Sequence, residues 1–244
     1  MMQNLFFDLD DTLIHCNKYF HLVLNEFAKL VSKWFEEAAL STAEILQKQS
    51  EIDLAAVKKS GLIPAQFPQS LIDTYTFFAH KYGQIPSETN IKMLEELGYS
   101  VYQIDAEPYP QMTEALSSLQ ESGYHLLMYT GGDPTIQKSK IRKVGLERFF
   151  ANRIYVTQHK TYAHMESILT SGGFDRTRTW MIGNSLRTDI IPALKAGIHA
   201  IHLPAELEWS YNIQEVKVKP KGAFFTLSSL SDIPATINRY VADN

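Results

Sequence analysis

The chain has 244 residues, of which 45% are hydrophobic and 20% are charged, a composition typical of one or two globular domains and not of a disordered protein. The 23 Lys and Arg against 27 Asp and Glu give a net charge of −4 without a long basic block, so nucleic acid is not expected as a main partner. No apolar stretch reaches the roughly 18 to 20 residues that cross a bilayer, so no membrane association is expected. The single cysteine, Cys16, excludes an internal disulfide, and no basic region with an apolar core precedes the first acidic residues, which together predict a cytoplasmic protein.

The first predicted element is a strand over residues 3–9, and three aspartates lie at its carboxyl end and just beyond it. Its apolar core, residues 5–7, is followed by the sequence Asp-Leu-Asp-Asp-Thr at residues 8–12. The carboxyl end of a strand in an open α/β sheet borders the ligand crevice. Carboxylates this close repel one another unless a cation, a shared proton or open water offsets the repulsion. The alternative is an ordinary polar turn, since Asp and Thr are common turn and cap residues.

Four long helices are predicted next, over residues 17–37, 41–59, 69–82 and 87–97. In the first of them, apolar residues recur every three or four positions from Phe20 to Phe35, which gives a broad apolar face that needs partner helices. We interpret this block as an inserted helical domain, residues 15–104. The remainder, residues 1–14 and 105–244, would form the core domain.

Beyond residue 110 the pattern alternates between helices and strands. The predicted helices cover residues 111–122, 134–144, 162–171 and 186–196, the strands cover residues 125–130, 153–156, 179–183 and 199–203, and a last strand and helix lie near residues 223–240. Alternation of this kind predicts an α/β fold with a doubly wound, Rossmann-like, mostly parallel sheet. The first strand would join this sheet.

Three more strand ends carry polar residues. Thr130 and Gly131 precede a helix that Pro134 opens, an arrangement suited to binding an anion; Lys160 follows the short strand, and Asp189 lies just after the strand at 179–183. Carboxylates, a cation, a hydroxyl and backbone amides suit phosphoryl transfer with Mg²⁺, which prefers oxygen ligands. One aspartate could act as nucleophile and a second as general acid and base. Lys160 would align nucleophile and phosphate, while Thr130 and the Gly131 amide would bind phosphoryl oxygens.

These strand ends resemble, in order, the four motifs of the haloacid dehalogenase superfamily. The first motif, Asp-x-Asp-x-Thr, matches residues 8–12; the second, a strand that ends in Thr or Ser, matches Thr130; the third is a lysine, here Lys160. The fourth, Gly-Asp-x-x-x-x-Asp, matches residues 183–189 with one change. The order also places the chain with the phosphatase branch that carries a helical cap of the C1 type between motifs one and two.

The resemblance implies a role for each matched residue. Asp8 would be the nucleophile and Asp10 the acid and base. Mg²⁺ would be the cofactor, bound by the Asp8 side chain, the Asp10 backbone carbonyl and Asp189. Asn184 replaces the first acidic residue of motif four, so it could offer the metal only a neutral amide oxygen. That oxygen would either bind the metal directly or lie in the second coordination shell.

Two other residues of the first motif are given supporting roles. Asp11 is interpreted as a turn or cap residue that points away from the metal, and Thr12 as support for the turn. Asp10 argues against the metal-free dehalogenase branch, whose chemistry needs no acid or base at that position.

The expected activity is hydrolysis of a small phosphorylated metabolite through an aspartyl-phosphate on Asp8. Two alternatives remain open: a phosphotransferase or phosphomutase that uses the same site, and a phosphate-ligand sensor without catalysis, for which Asn184 is the support. The loops of the helical block are expected to set substrate specificity. The sequence does not indicate the oligomeric state.

Overall fold

A computed structural model describes residues 2–244, and the chain divides into two compact units. The first unit contains Ala106–Asn244 together with the chain up to Asn17, and the second contains Lys18–Asp105. The division falls within a few residues of the predicted domain boundaries. The second unit is therefore inserted into the first, between the strands Asn4–Phe7 and His125–Gly131.

The first unit is built on a six-stranded sheet in which every neighbouring pair of strands is parallel. In chain order the strands are β1 (Asn4–Phe7), β2 (His125–Gly131), β3 (Ile154–Thr157), β4 (Thr179–Gly183), β5 (His199–His202) and β6 (Phe224–Thr226). Across the sheet they run β3-β2-β1-β4-β5-β6. This is the strand order of the Rossmann fold, so the predicted Rossmann-like parallel sheet is confirmed.

Helices cover both faces of the sheet because its strands are apolar on both sides. Leu5 and Phe7 belong to one buried cluster, while Phe6, which points the opposite way, belongs to another. The helices of this unit, numbered after the four of the inserted unit, are α5 (Met112–Glu121), α6 (Pro134–Lys143), α7 (Glu147–Phe150), α8 (Tyr162–Ser171), α9 (Ile191–Ala196) and α10 (Asp232–Asp243). Helices α5, α7 and α10 contribute to the first cluster, and α8 and α9 to the second.

Two predicted elements of this unit differ from the structure in their extent, and one pair of strands was not predicted. The first strand ends at Phe7, because the chain turns after Asp8. The predicted helix over residues 186–196 begins instead as a π-helical turn, Leu186–Ile190, that leads into α9. A pair of two-residue antiparallel strands, Ile14–His15 and Glu107–Pro108, was not predicted.

The inserted unit consists of four helices: α1 (Asn17–Trp34, whose first residue belongs to the other unit), α2 (Thr42–Ser60), α3 (Gln66–Lys81) and α4 (Glu88–Ser100). Helix α3 begins three residues before the predicted start, because Pro68 lies in its first turn, where no backbone hydrogen bond is lost. A Cβ on Gly98 would lie 2.5 Å from the Cα of Pro68, so α4 packs closely on α3. Within residues 2–244 no helix is long and apolar enough to span a membrane.

Candidate active site

The acidic turn lies at the carboxyl end of the central strand. Phe7, the last residue of β1, pairs with Met128 of β2 on one side and Ile182 of β4 on the other. The strand order reverses around β1, and open α/β sheets bind ligands at the carboxyl ends of strands where this happens. Asp8 follows at this point, and the residue is 5% exposed. Asp8 is therefore a buried carboxylate at the edge of the sheet where the strand ends were predicted to meet.

Lys160 joins two buried carboxylates. Its Nζ donates to Asp8 Oδ1 at 2.6 Å and also to Asp189 Oδ1, and it lies 3.4 Å from the backbone oxygen of Tyr129. Burial raises the pKa of Asp8 to about 7 against the opposing effect of the Lys160 ammonium, and burial raises the pKa of Asp189 as well. Burial would lower the pKa of Lys160, but the two carboxylates outweigh it and raise that pKa. The lysine therefore remains a cation between the two acids.

Thr12 connects Asp8 to the fourth motif. Its hydroxyl donates to Asp8 Oδ2 at 3.0 Å, and its oxygen accepts from the backbone N–H of Asn184 at 3.1 Å. Thr12 thus does more than support the turn, because it fixes the second oxygen of Asp8.

Gly183 allows Asp189 to approach the strand end. A Cβ at Gly183 would lie 2.3 Å from Asp189 Oδ2, which no side chain could tolerate. The same oxygen accepts from the backbone N–H of Ser185 at 3.0 Å. The glycine of the fourth motif is therefore required by packing against a buried carboxylate.

Asp10 is held by two side chains of α6 that sequence reasoning missed. Lys140 Nζ donates to Asp10 Oδ1 at 2.7 Å, and Gln137 Nε2 donates to Asp10 Oδ2 at 2.9 Å. Gln137 also donates to Thr130 Oγ1 at 2.7 Å. Burial would lower the pKa of Lys140, but Asp10 outweighs it and raises that pKa. Residues 137 and 140 lie about one turn apart on the helix that begins just beyond Thr130, but this spacing does not indicate that they contact Asp10.

The prediction that Asp11 is a turn and cap residue is confirmed. Asp11 has a positive φ of 58°. Its Oδ1 accepts the backbone N–H groups of Cys16 and Asn17 at 2.9 and 3.0 Å, at the start of α1. The Asp11 carboxylate therefore accepts hydrogen bonds from backbone N–H groups at the N-terminus of α1.

Asn184 has a carboxylate beside it. Its Nδ2 donates to Glu208 Oε1 at 3.1 Å, and Asn212 Nδ2 donates to the same oxygen at 2.8 Å. Burial raises the pKa of Glu208, and these amide donors oppose that shift. Because Glu208 takes the amide nitrogen of Asn184, the amide oxygen is the atom left for other partners.

The donors at this site suit Mg²⁺. Asp8, Asp189 and Asn184 all offer oxygen, and each carboxylate oxygen has a second lone pair beyond the hydrogen bonds described above. Among residues 2–244 no group of three His, Cys, Asp or Glu side chains is arranged to hold a metal by itself. Mg²⁺ commonly takes one or two carboxylates and completes its shell with water and substrate phosphate, so this set fits it.

Sequence comparison assigns the chain to a family. The family profile for haloacid dehalogenase-like hydrolases matches residues 2–197, most of the chain. The chain therefore belongs to the haloacid dehalogenase-like hydrolase family, as its four motifs predict.

Two curated relatives and one solved structure are similar over different extents. A glyceraldehyde 3-phosphate phosphatase from Methanothermobacter thermautotrophicus is 29% identical over 105 residues, 41% of this chain and 46% of that protein. A phosphoglycolate phosphatase from Agrobacterium fabrum is 28% identical over 135 residues, 51% of this chain and 56% of that protein. The chain thus spans about half the length of these two relatives. The structure of a haloacid dehalogenase-like family hydrolase from Xanthomonas campestris, 23% identical, has the same fold with a TM-score of 0.79 over 99% of this chain and 97% of that one.

Proposed function

We propose that the protein is a Mg²⁺-dependent phosphatase that cleaves a small phosphomonoester through an aspartyl-phosphate on Asp8. The observation that carries this proposal is the buried Asp8 carboxylate, with Lys160 on one oxygen and Thr12 on the other. A fixed carboxylate beside a cation is suited to attack a phosphoryl group, because both its orientation and the charge around it are set before substrate arrives. Both curated relatives carry the names of phosphatases for small phosphorylated compounds, which supports the same substrate class here.

In the first step, an oxygen of Asp8 attacks phosphorus and forms the Asp8–phosphate bond while the bond to the leaving oxygen breaks. Asp10 transfers a proton to that oxygen, and the product leaves as an alcohol. Thr130, the Gly131 amide and Lys160 would hold the phosphoryl oxygens during the transfer.

In the second step, Asp10 takes a proton from water, and the resulting hydroxide attacks the phosphorus of the aspartyl-phosphate. The Asp8–phosphate bond breaks, inorganic phosphate leaves, and Asp10 is protonated again for the next cycle. When bound by Asp8, the Asp10 backbone carbonyl and Asp189, with Asn184 close by, Mg²⁺ would supply positive charge against the phosphoryl oxygens.

The inserted helical unit would serve as a cap that selects the leaving group. In this proposal every group named in the two steps belongs to the first unit, and the alcohol portion of the substrate would be recognised by the inserted unit. Inserted loops and domains on a rigid catalytic scaffold commonly have this role.

The test is hydrolysis of an aryl phosphate by the purified protein with and without Mg²⁺. We expect turnover only with Mg²⁺, and Asp8→Asn to lower kcat by about 10³-fold or more, because the amide cannot form the covalent intermediate. Asp73→Asn, an exposed change in α3, is the matched control and should leave kcat unchanged. Full activity in Asp8→Asn would refute the proposed mechanism.

Further assays on the purified protein distinguish the competing functions. Capture of the phosphoryl group by an added sugar phosphate in place of water would indicate a phosphotransferase or mutase. Phosphate binding without turnover, together with turnover gained in Asn184→Asp, would indicate a sensor that has lost catalysis. Release of halide from a 2-haloacid without Mg²⁺ would indicate a dehalogenase.

A further inference from the structure

Gln137 lies between the residue predicted to bind phosphate and the residue predicted to move protons. Its side chain is 2% exposed, in the second turn of α6. Nε2 is 2.7 Å from Thr130 Oγ1 and 2.9 Å from Asp10 Oδ2. The amide nitrogen carries two hydrogens and can only donate, so one hydrogen goes to each oxygen.

The contact with Thr130 decides the direction of the threonine hydroxyl. A hydroxyl has one hydrogen and two lone pairs. Since Thr130 Oγ1 accepts from Gln137, its own hydrogen must point to a different acceptor. A phosphoryl oxygen bound at the carboxyl end of β2 would be such an acceptor, so the amide turns the hydroxyl into a donor for phosphate.

The contact with Asp10 completes a clamp on that carboxylate. Gln137 holds Oδ2, and Lys140, one turn further along α6, holds Oδ1 at 2.7 Å. Gly132 packs against the Gln137 side chain, because a Cβ at that glycine would lie 3.3 Å from Gln137 Cδ. The amide therefore has little room to rotate, and helix α6 fixes both oxygens of Asp10.

We propose that Gln137 is a positioning residue that orients the Thr130 hydroxyl for phosphate binding and holds the Asp10 carboxyl beside it for proton transfer. This inference rests on the proposed function, because the roles of Thr130 and Asp10 belong to it. The amide nitrogen of Gln137 donates to Thr130 and Asp10, so Gln137 acts through these two residues. Replacing Gln137 should therefore change phosphate binding through Thr130 and proton transfer through Asp10, and the two effects can be measured separately.

The first test is a double-mutant cycle on binding of inorganic phosphate in Mg²⁺ buffer, measured by isothermal titration calorimetry. We expect Gln137→Met and Thr130→Val each to raise the Kd about five- to tenfold, through loss of one oriented hydrogen bond. The double variant should bind within about twofold of Thr130→Val alone, because Gln137 acts on phosphate only through that hydroxyl. If the Kd of the double variant rises by the product of the two single increases, Gln137 does not act through the Thr130 hydroxyl.

The second test compares leaving groups in the Thr130→Val background, where only the contact with Asp10 remains. Adding Gln137→Met should lower kcat/KM for an alkyl phosphate about tenfold or more, because an alkoxide needs a well-placed acid. For an aryl phosphate, whose leaving group departs without a proton, kcat/KM should change by less than about twofold. Equal losses of kcat/KM on both substrates would show that Gln137 does not position Asp10 for proton transfer.

Two further variants keep the result interpretable. Lys138→Met, an exposed change on the same helix, should leave all these values unchanged. Gln137→Glu keeps the size of the side chain but presents an acceptor to Thr130, so it should weaken phosphate binding at pH 8 at least as much as Gln137→Met. Wild-type protein inactive on aryl phosphate would refute the proposed function, whereas active protein with independent effects would refute only the role of Gln137.

Discussion

The two units of the chain differ in how they accommodate buried carboxylates. In the α/β unit, Asp8 and Asp189 share the ammonium of Lys160. In the helical unit, Asp53 of α2 is 9% exposed, and the described residues include no hydrogen bond or ion pair to its carboxylate. Burial alone raises the pKa of Asp53 to about 6. Two buried carboxylates thus share a cation in the α/β unit, whereas at Asp53 in the helical unit the cause of the pKa shift is burial.

A neighbouring pair of polar side chains in α2 and α3 is hydrogen-bonded. One turn before Asp53, Gln49 donates to Ser70 Oγ at 2.9 Å, and Ser70 donates to the backbone oxygen of Phe67 at 2.7 Å. Hydrogen-bonded polar groups of this kind cost little when buried, whereas an unpaired charge is expensive. The comparison therefore predicts opposite outcomes when charge is removed from the two units.

The largest effect is expected for Lys160→Met. The change leaves Asp8 and Asp189 buried without their cation, so the free energy of unfolding at pH 8 should fall by about 3 to 5 kcal/mol. The deficit should shrink toward pH 5, since protonation then removes the unpaired charge. Urea denaturation measures both, with the exposed Lys138→Met as control. A loss no larger than that of the control would mean that the buried acids do not depend on the lysine.

In the helical unit, Asp53→Asn should be stabilising. Burial raises the folded-state pKa of Asp53 from 3.8 to about 6, so the wild type loses stability as the pH rises through that range. Removing the charge should raise the free energy of unfolding by about 1 to 3 kcal/mol at pH 8. The gain should diminish toward pH 4, where the wild-type carboxyl is protonated.

The control for Asp53→Asn is Asp73→Asn in α3. Asp73 is exposed and accepts from Gln69 Nε2 at 2.8 Å. Its replacement should change stability by no more than about 0.5 kcal/mol at any pH. A gain at Asp53 that does not depend on pH would show that packing, and not charge, limits the stability of this unit.

A smaller effect is expected when a charge is added to the α/β unit by Asn184→Asp. The new carboxylate would face Glu208, which now accepts from the Asn184 amide at 3.1 Å. Loss of that bond and the repulsion should lower the free energy of unfolding by about 1 to 2 kcal/mol without Mg²⁺. Combining Asn184→Asp with Glu208→Gln should restore stability, because the glutamine amide can donate to the new carboxylate. If the double variant is no more stable than Asn184→Asp, the two side chains are not coupled.

The strand-end residues were predictable from the sequence because parallel strands bring their carboxyl ends to one edge of a sheet. Asp8, Thr130 and Asp189 all follow apolar runs that are recognisable as strands. Lys160, assigned only by its position after the short strand β3, reaches Asp8 at 2.6 Å, because β3 belongs to the same sheet. The identity of the helix side chains at this edge was not predictable in the same way.

Gln137, Lys140 and Glu208 illustrate this limit. Gln137 and Lys140 are 127 and 130 residues from Asp10 in the chain, and they reach it from a helix face. Glu208 reaches Asn184 from the irregular segment after β5. A polar residue on a surface helix or loop has no periodicity that marks it as buried, so its partner becomes known only when the elements pack.

The sequence by itself determined the fold class, the family and the residues at the ends of the strands, because apolar strand runs and short motifs are local properties of the chain. The tertiary structure decided what each of those side chains contacts. Gln137 contacts Thr130 and Asp10 together, and Glu208 contacts Asn184. The physical reason is that hydrogen bonds between residues distant in the chain depend on the packing of whole elements, which local sequence does not encode.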